Sequence, residues 1–250
     1  MSPSSEPRQC VLVLPTYNEI ENIDRFVRAV RASTPHIHVL IVDDNSPDGT
    51  GDAADNLARE LGNMHVIHRT NERGLGSAYR TGFRHVLSRQ FDHVITMDAD
   101  FSHDPAIIPK FLELLNSGCD VVIGSRYCPG GSIINWPWYR TALSKWGNLY
   151  TRALLRVTTT DCTTGYRGYT TQALDRIEIE NVPGEGYVFL STIITRAEDE
   201  HLHIVETPIC FANRVLGTSK MSAKIAFESM LLVTKLGLKR RVFRPSRQLS

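Results

Sequence analysis

The reading of the fold turns on the stretch His93-Val94-Ile95-Thr96-Met97-Asp98-Ala99-Asp100. Val94, Ile95 and Thr96 are β-branched, and the apolar run from His93 to Met97 is too short for a helix. It reads as a strand of a parallel sheet, buried on both faces. The acidic residues begin where the apolar run stops. In an open α/β sheet ligands sit at the carboxyl ends of the strands, so Asp98 and Asp100 are candidates for chemistry. Two carboxylates at i and i+2 on a strand end point the same way and repel each other unless a cation lies between them. A hard divalent ion, Mg²⁺ or Mn²⁺, fits that pair and keeps positions open for diphosphate oxygens. An ordinary solvated Asp-x-Asp is the competing reading, and the strand terminus counts against it.

The same rhythm extends outward. Strands are predicted at Cys10 to Leu14, Val39 to Val42, His65 to His68, His93 to Met97 and Asp120 to Ile123, with helices around Ile20 to Ala32, Gly51 to Leu61, Gly76 to Leu87 and Pro105 to Leu115. Short β-branched runs alternating with amphipathic segments indicate an α/β fold with a mostly parallel central sheet flanked by helices. Strand one runs into Pro15-Thr16-Tyr17-Asn18-Glu19 and strand two into Asp43-Asp44-Asn45-Ser46-Pro47-Asp48-Gly49-Thr50. An acidic residue ending strand two accepts hydrogen bonds from ribose hydroxyls, and an aromatic after strand one stacks on a base. An Asx-turn with a helix cap explains the second stretch equally well. Asn71 to Gly76 is a Gly-rich loop opening a helix. Without the Lys-Ser/Thr of a P-loop it argues against a kinase or ATPase, and its expected role is to shape the nucleotide pocket. No Gly-x-Gly-x-x-Gly follows strand one, which argues against a redox dinucleotide enzyme.

Composition narrows the classes further. In 250 residues, 28 Lys and Arg face 27 Asp and Glu, a formal net charge of +1, so the molecule as a whole exerts no pull on nucleic acid. No apolar run approaches the roughly 20 residues of a membrane span. Pro and Ser stand where a signal peptide would be apolar, so residues 1–9 are expected to be a disordered terminus of a cytoplasmic protein. The five cysteines are scattered with no Cys-x-x-Cys, which argues against structural zinc and a disulfide framework. His36/His38 and His201/His203 are expected at exposed strand ends.

After Arg126 a Gly/Pro/Trp-rich loop, Cys128 to Pro137, leads into a helix near Arg140 to Leu154 and then mixed short elements. No repeat or linker divides the chain. One domain is expected over 10–238, with a nucleotide half at 10–125 and an acceptor half at 126–238. From Ile225 to Leu238 an apolar helical pattern precedes Lys239, Arg240, Arg241, Arg244 and Arg247. This reads as a helix lying on a membrane surface with a basic tail at 239–250, against the alternative of a core-packed helix.

Pro15 to Glu19, Asp43 to Thr50, Met97 to Asp100 and Gly124-Ser125-Arg126-Tyr127 resemble the motifs of family-2 glycosyltransferases of the GT-A fold. Asn135-Trp136-Pro137-Trp138, Arg140, Ser144, Thr164 to Arg167, Gly186 to Phe189 and Arg214 to Lys220 resemble, more narrowly, the dolichyl- and polyprenyl-phosphate mannosyltransferases, above all actinobacterial ones. The match runs from Val11 to Leu238. It implies a GT-A domain in which Pro15, Tyr17, Glu19, Asp44 and the Ala99 backbone contact the nucleotide and Asp98 and Asp100 hold the metal. Ser102 stands where some relatives carry a metal-binding Gln, and its shorter side chain would reach a metal through water. His103 is expected at the helix entry before Pro105. Arg126, Arg140, Ser144, Arg214 and Lys220 match acceptor-phosphate positions, Arg126 counting among the catalytic set with Asp98 and Asp100.

A phosphate nucleophile is already ionised near neutral pH and needs cations to hold it in line, not a general base. Arginine forks suit that task. The implied reaction is inverting transfer of mannose from GDP-mannose to a polyprenyl monophosphate at a membrane surface. In actinobacterial relatives the synthase is often associated with, or fused to, a membrane acyltransferase, so by that analogy a membrane protein partner is expected; no nucleic-acid partner is expected. A UDP-sugar donor and a non-catalytic nucleotide-sugar-binding subunit are the alternatives.

Overall fold

The computed structural model describes residues 9–71, 73–213 and 223–243, with side chains omitted at 223–228 and 241–243. The basic residues Arg244 and Arg247, and residues 1–8 of the expected floppy terminus, lie outside the described residues. The first half alternates strictly: β1 (Cys10–Thr16), α1 (Ile23–Ser33), β2 (His38–Asp43), α2 (Thr50–Leu61), β3 (Met64–His68), α3 (Leu75–Leu87), β4 (His93–Thr96), α4 (Ile108–Asn116) and β5 (Val121–Ser125). A 3₁₀ turn, Pro105–Ile107, precedes α4. The second half adds β6 (Ser132–Ile133), α5 (Trp138–Leu155), β7 (Arg167–Thr170), α6 (Thr171–Arg176), α7 (Gly186–Asp199), β8 (Ile204–Pro208), β9 (Cys210–Phe211) and α8 (Ala223–Phe243).

Seven strands form one sheet in the order β3-β2-β1-β4-β7-β5-β8. Every pairing is parallel except those of β7, which runs antiparallel between β4 and β5. The expected mostly parallel sheet is present, and β7 is the element that the sequence pattern left among its mixed short pieces. Both faces are covered. Val11 and Val13 of β1 point into one apolar layer with Tyr79 and Phe83 of α3 and Phe189 and Ile193 of α7. Leu12 and Leu14 point into the other, with Phe26 and Val30 of α1 and Phe111 of α4. This two-sided burial is why β1 reads as a continuous apolar run without alternation. Gly82 lets α3 press onto the sheet, since a Cβ there would stand 2.6 Å from Val13 Cγ1.

The strand order reverses direction at β1, so the carboxyl ends of β1, β2 and β4 converge on one crevice. β6 and β9 form a separate two-stranded ribbon that brings Phe211 toward this crevice. The terminal helix α8 is docked on the domain. Val233 is buried, Gly237 sits against the Leu154 backbone, and Arg240 bonds Leu155 O and Asp199 Oδ1. It continues through Phe243, across the expected domain boundary at 238, and Arg240 is anchored instead of belonging to a solvated tail. Leu231, Leu232 and Leu238 remain exposed. Among the described residues no helix is long and apolar enough to cross a membrane.

Candidate active site

The loops that follow β1 and β2 are zipped together. Asn18 N donates to Ser46 Oγ (3.0 Å), Glu19 N to Thr50 Oγ1 (2.9 Å) and Ile20 N to Asp48 Oδ2 (3.2 Å). The two adjacent aspartates then divide the labour. Asp43 makes the turn: its carboxylate accepts from Thr16 Oγ1, Ser46 N and Ser46 Oγ. Asp44 points instead toward the loop after β3, where it pairs with Arg69 Nη1 and accepts from Gly74 N at 2.9 Å. Burial pushes the Asp44 carboxyl up, with the Gly74 N–H and Arg69 opposing it. The Asx-turn reading of the Asp43 to Thr50 stretch is met by Asp43, while Asp44 is bound to protein partners across the neighbouring loop. Tyr17 and Pro15 are partly exposed at the mouth of the crevice, and the Arg73 guanidinium lies 5.3 Å over the Tyr17 ring. Glu19 accepts from Asn22 Nδ2 at 3.0 Å.

β4 ends at Thr96, and the chain turns over residues 97–103 with Phe101 in the left-handed region, φ 59°. Asp98 is partly exposed, whereas Asp100 and Ala99 are buried. Asp100 Oδ1 accepts from Ser102 N (3.0 Å) and Ser102 Oγ (2.5 Å). Ser102 thus orients a carboxylate. His103 is not at a helix entry, as the sequence suggested. Asp104 takes that role, accepting from Ala106 N at 2.9 Å, because a carboxylate two residues before a free N–H caps a turn better than an imidazole. The His103 ring is instead fully buried between Tyr166 and Phe211, each 5.1 Å away, with Nε2 3.8 Å from Asp98 Oδ2. Burial pushes its pKa down to about 4, so it is neutral, and its Nδ1 has no hydrogen-bond partner among the described residues.

Arg126 follows β5. Its Nε and Nη2 form a bidentate pair with the fully buried Asp161 at 2.7 and 2.8 Å, and Nη2 also donates to Thr163 Oγ1 at 2.7 Å. Tyr127 and Phe211 cover the guanidinium at 5.1 and 5.3 Å. Two of its three nitrogens are thus committed to Asp161 and Thr163. Asp161 was missed by the sequence reading, although an Asp before Cys162-Thr163-Thr164-Gly165 is an Asx-turn signal, and it does accept from the Thr163 and Thr164 amides.

Arg140 and Ser144 project from one side of α5. Ser144 Oγ lies 2.7 Å from Tyr127 Oη, while Arg140 stacks 3.9 Å from the Trp136 ring and donates to Asn213 Oδ1 at 3.1 Å. Trp136 in turn meets Phe211 edge-on at 5.4 Å. Phe211 therefore touches His103, Arg126 and Trp136 at once, and joins the acidic turn after β4 to the cationic residues. Arg214 and Lys220 lie outside the described residues. The donor set after β4 is all oxygen, two carboxylates in one turn, which fits a hard divalent cation in its chemistry. Among the described residues no group of three or more His, Cys, Asp or Glu could hold a metal, so such an ion would need oxygens from a ligand or water.

Residues 11–178 match the model of glycosyl transferase family 2. Polyprenol monophosphomannose synthase of Mycolicibacterium smegmatis is 43% identical over 238 residues, covering 95% of this chain and 90% of the relative. Undecaprenyl-phosphate mannosyltransferase of Micrococcus luteus is 45% identical over 226 residues, covering 90% and 93%. Among solved structures, a mannosyltransferase from Pyrobaculum calidifontis in complex with GDP-Man and Mn²⁺ shares the fold at a TM-score of 0.57 and 15% identity, covering 98% of this chain and 78% of that one. With an α/β sheet whose acidic turn follows β4, and a family match over residues 11–178, this chain belongs to glycosyl transferase family 2.

Proposed function

We propose that this glycosyltransferase moves mannose from GDP-mannose to the phosphate of a polyprenyl monophosphate, with inversion at the anomeric carbon. The observation that carries the reading is the junction at Phe211, where the Asp98–Asp100 turn and the Arg126, Arg140 and Ser144 cluster share one aromatic wall. A site built this way suits an anionic leaving group on one side and an anionic nucleophile on the other. Tyr17 would stack on the base, and Pro15, Glu19, Asp44 and the Ala99 backbone would line the nucleoside.

Asp98 and Asp100 would hold Mg²⁺ or Mn²⁺, which when bound neutralises the departing diphosphate. Ser102 keeps Asp100 in place. Neutral His103 lies beside Asp98 without adding charge. On the acceptor side, Arg126 and Arg140 would hold two phosphate oxygens, with the Ser144 hydroxyl as a further donor. The Asp161 carboxylate fixes the plane of the Arg126 guanidinium. The phosphate then attacks opposite the diphosphate, and no protein base is required because the nucleophile carries its charge already. Arg214 and Lys220 keep their expected place in this set from the resemblance alone.

A lipid acceptor brings the chain to a membrane surface. Trp138, Tyr139, Leu143, Trp146 and Leu149 of α5 are exposed, Trp138 by 81%. Between Asp120 and Asp161 there is no acidic residue, while Arg126, Arg140, Lys145, Arg152 and Arg156 are basic. Aromatic side chains on a cation-bearing helix suit the headgroup level of an anionic leaflet, each near-surface cation contributing about 1 kcal/mol. The face that meets lipid in this reading is thus α5, with exposed Leu231, Leu232 and Leu238 of α8 beside it, and a membrane protein partner would sit on the same side.

The test is transfer of radiolabelled sugar to a short polyprenyl phosphate from GDP-mannose, and in parallel from UDP-glucose, with Mg²⁺ or Mn²⁺ and with EDTA as control. Metal-dependent labelling from GDP-mannose alone is expected, giving a β-linked product. Labelling from UDP-glucose would move the donor. GDP binding without transfer from either would turn the reading toward a non-catalytic subunit.

A further inference from the structure

Glu185 stands in the turn Pro183-Gly184-Glu185-Gly186 that opens α7, in the acceptor half of the chain. Its carboxylate caps a different helix. Oε2 accepts from Gly76 N (2.7 Å) and Ser77 N (3.1 Å) at the start of α3, and Oε1 accepts from Arg80 Nη2 (2.6 Å). Arg80 locks the same turn from below, donating to Val182 O (3.2 Å) and Gly184 O (3.0 Å). The approach is close enough to require glycine opposite it. A Cβ on Gly74, whose φ is +127°, would stand 2.7 Å from Glu185 Oε2, and one on Gly76 would stand 2.7 Å from Gly184 O.

The contacts continue into the nucleotide crevice. Ser77 Oγ accepts from Arg69 Nη2 at 2.5 Å, Arg69 Nη1 pairs with Asp44, and Gly74 N donates to Asp44 Oδ2 at 2.9 Å. Arg73, in the same loop, lies over the Tyr17 ring. The residues expected to meet the donor's sugar and base are therefore held by a loop whose far end is fastened by Glu185. There is an electrostatic consequence as well. The free N–H groups and dipole of a helix N-terminus attract anions, and here that position is filled by the protein's own carboxylate. That helix N-terminus is therefore not open to a second anion.

We infer that Glu185 is a positioning residue for the donor nucleotide: from the acceptor half, it fixes the 73–77 loop so that Asp44 and Tyr17 present a preformed site. The inference rests on the donor-site reading above. Its test compares Glu185→Ala and Glu185→Gln with the unmodified protein, using GDP and UDP binding by calorimetry in the presence of Mn²⁺, transfer kinetics and thermal melting. Glu185→Ala should weaken nucleotide binding and raise the donor KM on the order of tenfold, the scale of losing charge-assisted hydrogen bonds, with kcat at saturating donor nearly unchanged. Glu185→Gln keeps an acceptor oxygen for Gly76 and Ser77 and should recover most of that loss. Adding Ser77→Ala to Glu185→Ala should cost little more than the single variant, because both act through Arg69 and Asp44.

Unchanged nucleotide binding in both variants, with the unmodified protein binding normally, overturns the inference and leaves the donor-site reading standing. So does a uniform fall in kcat and melting temperature that Glu185→Gln does not rescue. Absence of nucleotide binding by the unmodified protein overturns the donor-site reading and the inference with it.

Discussion

Replacing Asp161 by Asn tests how Arg126 is held. The side chains of Arg126 and Asp161 are 6% and 0% exposed, and their two parallel hydrogen bonds measure 2.7 and 2.8 Å. Asn keeps the shape but removes the charge, leaving a guanidinium in a site from which water is excluded. Breaking one side of such a pair costs about 3–5 kcal/mol. At roughly 2–4 °C per kcal/mol for a chain of this size, melting should fall by about 6–20 °C. The pH dependence carries the same sign. Burial pushes the Asp161 carboxyl up, but the Arg126 charge and hydrogen bonds outweigh it and leave it below the usual carboxylate range. A lowered folded value means that the pair's contribution is complete above the ordinary carboxylate pKa and is lost as pH falls through the lowered one. The unmodified protein should therefore lose stability on that acid limb, and Asp161→Asn should lack this part of the loss. Thermal melts of both proteins from pH 7 down to the onset of acid unfolding measure it. A drop of less than about 3 °C at pH 7, against the cost expected of a broken buried pair, would refute the view that Asp161 anchors Arg126.

Other predictions follow from the same geometry. Asp98→Asn, at a partly exposed position, should leave melting nearly unchanged while abolishing the metal dependence of GDP binding; metal-stimulated transfer persisting in this variant would remove Asp98 from the cation site. Arg140→Ala should raise the KM for the lipid phosphate far more than it weakens GDP binding, and equal losses would deny its acceptor role. Trp138→Ser with Trp146→Ser should release the protein from anionic vesicles in a flotation assay, while Leu112→Ser, a control on α4, should not. Gly82→Ala drives a Cβ to 2.6 Å from Val13 Cγ1 and should destabilise by about 1–3 kcal/mol in urea melts, less the ~1 kcal/mol of helix propensity gained. Gly147→Ala, in the open on α5, should show the propensity gain alone.

The crevice at the carboxyl ends of β1, β2 and β4 was legible because each of its strands is a short apolar run that stops at a polar motif. Runs of this kind declare both the element and its end. β7 was not, since Arg167-Gly168-Tyr169-Thr170 has neither length nor β-branched density, and it becomes a strand because β4 and β5 offer it two edges. α7 was missed because its buried positions run nearly all round the helix, from Val188 to Ala197, and so give no clean amphipathic period. The apolar pattern of α8 was visible, but a pattern does not say which neighbour it covers, and Val233 and Gly237 cover α5 and α7.

The sequence by itself determined the alternation of strands and helices and the place of Asp98 and Asp100 just past a strand end. Those features are local: a period, a turn or a spacing within a dozen residues specifies them. Only the tertiary structure decided that Asp43 turns the chain while Asp44 reaches the loop after β3, that His103 lies neutral beside Asp98, and that Asp161 and Glu185 hold Arg126 and α3 across 35 and 109 residues of chain. Those partners are chosen by burial and charge compensation between distant segments. No window along the sequence contains both halves of such a pair.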